Sequence, residues 1–256
     1  MPNLETHLFP CLSDNYGVLI HDAENNVTAS IDAPEASAVS EALTAKGWTL
    51  THIFTTHYHA DHTGGNMELK GMSGCTIVGP RAEAARVPGI DVHLGDGDAY
   101  EFGAFTARVF DTPGHTAGHI TYWFPQASVA FAGDTLFTMG CGRVFEGDAR
   151  TMWTSLSKIR ALPPETVIYS GHEYTQANAD FALTVEPGNA ALQARAQEVR
   201  EMRAKGEPTV PTTLARELET NVFLRPGSPE IQANTGMEGR EDWEIFGELR
   251  SRKDNA

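Results

Sequence analysis

Thr56-His57-Tyr58-His59-Ala60-Asp61-His62 is the stretch whose reading decides the fold and the chemistry of this chain. Three histidines and an aspartate fall within residues 57–62, although the chain of 256 residues has only ten histidines in all. Neutral imidazoles with a carboxylate suit zinc, iron or manganese, not a thiolate-type structural site. The stretch follows the apolar run His52-Ile-Phe-Thr-Thr56, which reads as a strand. His57 and His59, two apart on extended backbone, reach one ion. Asp61 and His62, on the turn that follows, face another. Gly64-Gly65 then lets the chain turn tightly into a helix.

Working outward, three further segments place a donor just past an apolar run, with glycine before it. They are Asp111-Thr-Pro-Gly-His115 after Phe105–Phe110, Ala132-Gly-Asp134 after Ser128–Ala132, and Ser170-Gly-His172 after Thr166–Ser170. Loops beyond strand ends are where sites assemble in layered α/β folds. A lone His-x-His is more often a surface pair, and a lone Asp after Gly is usually a turn residue. The recurrence at strand ends favours the metal reading. The five His and two Asp are too many for one tetrahedral ion. Divided as His57, His59, His115 and as Asp61, His62, His172, with Asp134 bridging, they suit two ions about 3.5–4 Å apart. His7, His21, His52 and His93 are read as structural, and His119 as a supporting residue without direct ligation.

The rest of the chain is organised around these segments. Tyr16–Ile20 and Thr76–Gly79 also read as strands, and Pro34–Lys46 and Asp148–Ala161 as helices, the latter capped by Asp148. From about Tyr174 the pattern turns helical: Gln176–Thr184, Asn189–Lys205, Thr213–Thr220 after a Thr cap, and a short Trp243–Arg250. Residues 225–240, with their Gly and Pro, read as loop. The expectation is a mixed α/β catalytic domain over residues 1–174 and a smaller helical domain over 175–256.

Composition sets outer bounds. Net charge is −15 at pH 7, with 41% hydrophobic and 21% charged residues, ordinary globular values that exclude disorder as the main state. The acidic balance disfavours a broad nucleic-acid surface, which needs many Lys and Arg. No apolar run approaches membrane-spanning length, and Met1–Glu5 has neither the basic start nor the apolar stretch of a secretory signal. Cys11, Cys75 and Cys141 are odd in number and far apart, so they form no disulfide framework. A reducing cytoplasm fits best. Basic residues are denser after 175, where Arg250-Ser-Arg252-Lys253 alone would read as a solvated tail.

The His-x-His-x-Asp-His segment with the later His, Asp and His resembles the metallo-β-lactamase superfamily. That resemblance implies an αββα sandwich with a binuclear site. Further segments are similar to the glyoxalase II (hydroxyacylglutathione hydrolase) family within it. They are Gly140-Cys-Gly-Arg143-Val-Phe-Glu-Gly147, Gly171-His-Glu-Tyr174-Thr, Asn221-Val-Phe-Leu-Arg225 and the closing Arg250-x-x-Lys253. The resemblance implies hydrolysis of the small-molecule thioester S-D-lactoylglutathione to glutathione and D-lactate, the second step of methylglyoxal detoxification; a monomer is the separate expectation. The resemblance also implies two divalent ions, zinc before iron or manganese. Arg143, Tyr174, Arg250 and Lys253 match glutathione contacts of the family. Phe145 stands where the family often has Tyr, and Arg143 where it often has Lys. Asn178 is a further candidate contact.

The chemistry agrees with this. Metal ions lower the pKa of bound water towards about 7 and polarise the acyl oxygen. A thiolate leaving group, from a thiol of pKa about 8.5, needs little acid assistance, and no Ser-His-Asp or Cys-His pair stands apart from the cluster. Cys141 reads as a packed turn residue, not a nucleophile. Asp61 is expected to orient or deprotonate the attacking water, and Asp134 to hold the ions at their working distance. Two rivals share the superfamily: a mononuclear-iron glutathione persulfide dioxygenase, disfavoured by the seven donors and the helical C-terminal part, and a lactonase or β-lactamase. A nuclease or nucleic-acid binder on this fold is disfavoured by the charge.

Overall fold

The computed structural model describes residues 3–256; Met1 and Pro2, part of the stretch read for a secretory signal, lie outside the described residues. The chain folds as two compact units, Met1–Asp111 with Thr116–Gly133, and Thr112–His115 with Asp134–Ala256.

The first unit carries two sheets. Strands β1 (Glu5–Cys11), β2 (Asn15–Asp22), β3 (Val27–Ile31), β4 (His52–Phe54), β5 (Thr76–Pro80) and β6 (Val92–Leu94) hydrogen-bond in that order. β1 to β3 are antiparallel, and β3 to β6 run parallel. Helix α1 (Ala36–Lys46) connects β3 to β4; α2 (Ala60–Thr63) and α3 (Asn66–Ser73) connect β4 to β5. Strands β7 (Ala99–Phe102), β8 (Phe105–Asp111), β9 (Ile120–Phe124) and β10 (Val129–Phe131) form an antiparallel meander.

Side-chain alternation explains the layering. Leu19, Ile53 and Ile77 pack with Val39, Ala42 and Leu43 of α1 and Leu69 of α3 on one face of the first sheet. Phe54 points the other way and meets Tyr122 at 5.2 Å, Phe102 at 5.6 Å and Phe124 at 6.1 Å, all in edge-on geometry. Edge-on packing pairs the positive ring edge with the negative ring face. The Tyr122 hydroxyl, fully buried here, donates to Thr55 O at 2.8 Å. The donor-bearing stretch therefore starts from a strand end locked on both faces.

The expected turn into a helix is made at the glycines after it, Gly64 ending α2 and Gly65 preceding α3. Gly64 and Gly65 have right-handed φ of −59° and −87°. A Cβ on Gly64 would sit 2.8 Å from Pro34 O, and one on Gly65 2.7 Å from Ala36 N. They are small because the chain at 33–36 passes against them, not because the turn is left-handed.

The second unit holds a two-stranded hairpin, β11 (Leu136–Phe137) with β12 (Gly140–Cys141), an antiparallel pair β13 (Val167–Tyr169) with β14 (Thr212–Thr213), and six helices. These are α4 (Ala149–Arg160), α5 (Thr175–Val185), α6 (Ala190–Ala204), α7 (Leu214–Thr220), α8 (Pro229–Thr235) and α9 (Asp242–Asp254). Asp148 caps α4 by accepting from Thr151 N at 2.7 Å, and Thr213 caps α7 by accepting from Arg216 N at 3.4 Å. Met152, Leu156 and Ile159 of α4 are buried, as are Ile245, Phe246 and Leu249 of α9. The segment read as loop contains α8. Its Pro229 lies in the first turn, where no N–H is needed, and Gly236 ends it with φ +70°. Pro and Gly there punctuate a helix instead of filling a loop. The hairpin is held by buried polar groups of α7 and the residue after it. Met139 N donates to Glu217 Oε2 at 2.7 Å, and Asn221 Nδ2 donates to Gly140 O at 2.9 Å. Burial raises the Glu217 carboxyl above its ordinary pKa, against the hydrogen bonds it receives.

Candidate metal centre

The first unit gathers four of the seven candidate donors past β4. His57 Nε2 lies 3.0 Å from His59 Nδ1, the His57 and His62 rings are 4.1 Å apart, and His62 Nε2 is 3.5 Å from Asp61 Oδ2. Asp32, which sequence reasoning passed over, orients two of them, His62 directly and His57 through Thr56. It sits at the end of β3 with φ +55°, a left-handed conformation that Asp tolerates better than most residues. Its Oδ1 accepts from Thr56 N at 2.7 Å, and its Oδ2 accepts from Thr56 Oγ1 at 2.9 Å and from His62 Nδ1 at 2.8 Å. The single Thr56 hydroxyl proton goes to Asp32, so Thr56 Oγ1 accepts from His57 Nδ1 at 3.0 Å. Both rings thus carry their proton on Nδ1 and offer Nε2 as a ligand. Asn15, buried at the β1–β2 turn, donates to Asp61 O at 3.0 Å and to Asp61 Oδ2 at 3.1 Å. Buried Glu83 accepts from Tyr58 N at 3.0 Å and Gly118 N at 2.8 Å, fixing the backbone between His57 and His59. His119 is buried, and its ring stacks on that of His57 at 4.8 Å.

The second unit gathers the other three. Asp134 Oδ2 stands 3.3 Å from both His115 Nε2 and His172 Nε2. His115 Nδ1 donates to Arg143 O at 3.0 Å, which again leaves Nε2 as the ligand atom. The His115 loop is clamped from below: Gly114, with φ +137°, leaves no room for a Cβ against Met152, and Ser155 Oγ donates to Pro113 O at 2.6 Å. A Cβ on Gly142 would collide with Asp134 O, so glycine there lets β12 pass close beneath Asp134. His172 stacks on Tyr174 at 4.8 Å with planes 4° apart, and Phe137 packs edge-on at 5.9 Å.

A cavity of about 540 Å³ opens beside His115 and Asp134 within this unit. Arg143, Phe145, Tyr174, Asn178, Arg250 and Lys253, all candidate contacts from sequence, line it. They are not equally available. Arg143 and Phe145 are exposed. Asn178 spends its Nδ2 on Thr138 O at 3.1 Å. Arg250, far from being a frayed tail, is buried in α9 and donates to Cys141 O at 3.0 Å and Asp254 Oδ1 at 2.8 Å. Lys253 Nζ donates to Ala177 O at 2.8 Å; burial and the nearby Arg250 charge lower its pKa. Cys141 is buried and its thiol is pushed up to about 11 by burial, so it is no nucleophile at neutral pH.

This donor set fits divalent metal ions. His57, His62 and His115 have their second nitrogens occupied by oxygen acceptors, and two imidazoles converge on one carboxylate oxygen. Fold and donors define a metal-dependent hydrolase of the metallo-β-lactamase class, and residues 28–172 match the metallo-β-lactamase superfamily. Residues 173–256 match the hydroxyacylglutathione hydrolase C-terminus, and the chain belongs to the hydroxyacylglutathione hydrolase family. A hydroxyacylglutathione hydrolase of Rhizobium meliloti (strain 1021) is 54% identical over 255 residues, covering 100% of both chains. Among solved structures, ETHE1 from Myxococcus xanthus matches with a TM-score of 0.66 at 26% identity, covering 98% of this chain and 97% of that one. The di-iron-bound form of TTHA1623 matches with a TM-score of 0.59 at 22% identity, covering 88% and 100%. Among the described residues no helix is long and apolar enough to cross a membrane.

Proposed function

We propose that this chain hydrolyses S-D-lactoylglutathione and related 2-hydroxyacylglutathiones to glutathione and the 2-hydroxy acid, the second step of methylglyoxal detoxification. The observation that carries the reading is the cavity in which His115 and Asp134 share one wall with Arg143, Tyr174 and Lys253. Candidate metal donors and cations for a dicarboxylate thiol peptide stand together there. The binuclear reading has His57, His59, Asp61, His62, His115, Asp134 and His172 as the residues that would hold two divalent ions, with zinc first among the metals. It is supported by the donor chemistry and by the family. Ions so held supply Lewis acidity for the acyl oxygen and a lowered pKa for water.

The chain's own groups do the rest. Asn15 holds Asp61 with a neutral donor, so the carboxylate stays an acceptor that can orient a water proton. Arg143 and Lys253 receive the substrate carboxylates, and Tyr174 presents its hydroxyl from a ring fixed on His172. The leaving thiolate needs no acid. The reading divides labour between a catalytic domain over 1–174 and a helical domain over 175–256 that contributes to glutathione binding, in a cytoplasmic monomer.

The test is turnover of S-D-lactoylglutathione by metal-replete protein, followed by thiol release, with loss of activity on chelation and recovery on adding zinc. Absence of turnover in metal-replete protein removes the proposal, and oxygen consumption with glutathione persulfide would move the chain to the dioxygenase class. A variant sharpens the substrate part. Lys253→Ala is expected to raise KM for the glutathione thioester about tenfold with kcat little changed, the pattern of a lost binding contact. An unchanged KM would leave Lys253 to its contacts with Ala177 O and the Phe181 ring.

A further inference from the structure

Two of the cations that line the second unit's cavity, Arg143 and Arg250, share one acid, Asp254, at its margin. Asp254 Oδ1 accepts from Arg250 Nε at 3.2 Å and from Arg250 Nη2 at 2.8 Å, and the same oxygen lies 3.7 Å from Arg143 Nε. The two arginines differ in how they are held. Arg250, its side chain 10% exposed, is also fixed by Cys141 O and by the face of Phe223, 5.1 Å away. Arg143, 66% exposed, approaches Asp254 only as an ion pair through its Nε. Asp254 itself keeps 37% of its side chain in solvent, so a carboxylate arriving in the cavity can replace it.

The geometry points to Asp254 as the residue that sets how tightly this site holds anionic substrates: an internal counter-ion for Arg143 and Arg250 that an incoming carboxylate must displace. The inference rests on the glutathione-thioester reading of the same cavity. Guanidinium groups pair with carboxylates through directed N–H bonds, and a donor already engaged by Asp254 is not available to substrate. The arrangement costs affinity for acids. In return it compensates charge where Arg143, Arg250 and Lys253 would otherwise repel one another.

The experiment compares wild type with Asp254→Asn on two substrates, S-D-lactoylglutathione and its diethyl ester, in which both carboxylates are blocked. The Asn side chain keeps an oxygen for Arg250 and removes only the charge. Asp254→Ser, measured alongside, guards against an effect peculiar to Asn. The expected result is a KM for the free acid lowered about two- to tenfold in both variants, with kcat unchanged and the diester KM the same in all three proteins. An unchanged or raised KM for the acid, or an equal shift for acid and diester, overturns the inference. A wild type that hydrolyses neither thioester overturns the hydrolase reading instead.

Discussion

Asp134→Asn is expected to lose bound divalent metal and to lower kcat/KM for the thioester by at least about a thousandfold, roughly 4 kcal/mol of transition-state stabilisation. The carboxylate is buried, and both His115 Nε2 and His172 Nε2 approach its Oδ2, each at 3.3 Å. An amide in its place offers at best one neutral oxygen and sets an N–H₂ against imidazole nitrogens that must keep their lone pairs. The fold should survive, because the side chain is isosteric and the loop is placed by the close approach of Gly142 to the Asp134 backbone. The measurement is metal content per chain by elemental analysis, with circular dichroism and kinetics on the same sample. A folded variant with wild-type metal content and rate would remove Asp134 from the centre.

Asp32→Asn tests the support of the centre, not its donors. Metal affinity, read by competition with a chromogenic chelator, is expected to weaken about 10- to 100-fold, the usual cost of losing a second-layer carboxylate. The reason lies in proton placement. Asp32 accepts three hydrogen bonds, from Thr56 N, Thr56 Oγ1 and His62 Nδ1. An amide cannot accept on its nitrogen, so either His62 Nδ1 or the Thr56 backbone loses its partner in a buried place. If His62 flips its tautomer, Nε2 acquires the proton and stops being a ligand. An unfilled buried donor also costs about 1–3 kcal/mol of stability. Wild-type metal affinity in a folded Asp32→Asn protein would show that this network does not orient His62.

Much of the architecture is legible in the residues themselves. The strands at His52, Phe105 and Val167 and the caps Asp148 and Thr213 announce themselves through short β-branched runs and side chains that serve their own next turn. β3 and β9 were missed: Val27-Thr-Ala-Ser-Ile31 and Ile120-Thr-Tyr-Trp-Phe124 are buried strands without clear alternation. α8 was hidden because Ser228, Pro229 and Gly236 are helix-end residues that look like loop when too few apolar residues lie between them. The family resemblance assigned Arg250 a place at the cavity, but not its anchor on Cys141.

By itself the sequence determined which chemistry is available: five imidazoles and two carboxylates, each just past a strand, and a basic stretch at the close of the chain. Those are local properties, readable from residue type and spacing. Which nitrogen His57, His62 and His115 offer, and how Arg250 and Lys253 are anchored, came from the tertiary structure. The deciding partners are distant in sequence: Asp32 for Thr56, 24 residues on; Glu83 for Gly118, 35 on; Cys141 for Arg250, 109 on. Hydrogen bonds of that kind are directional and depend on where packed strands and helices bring the groups, so no local pattern along the chain records them.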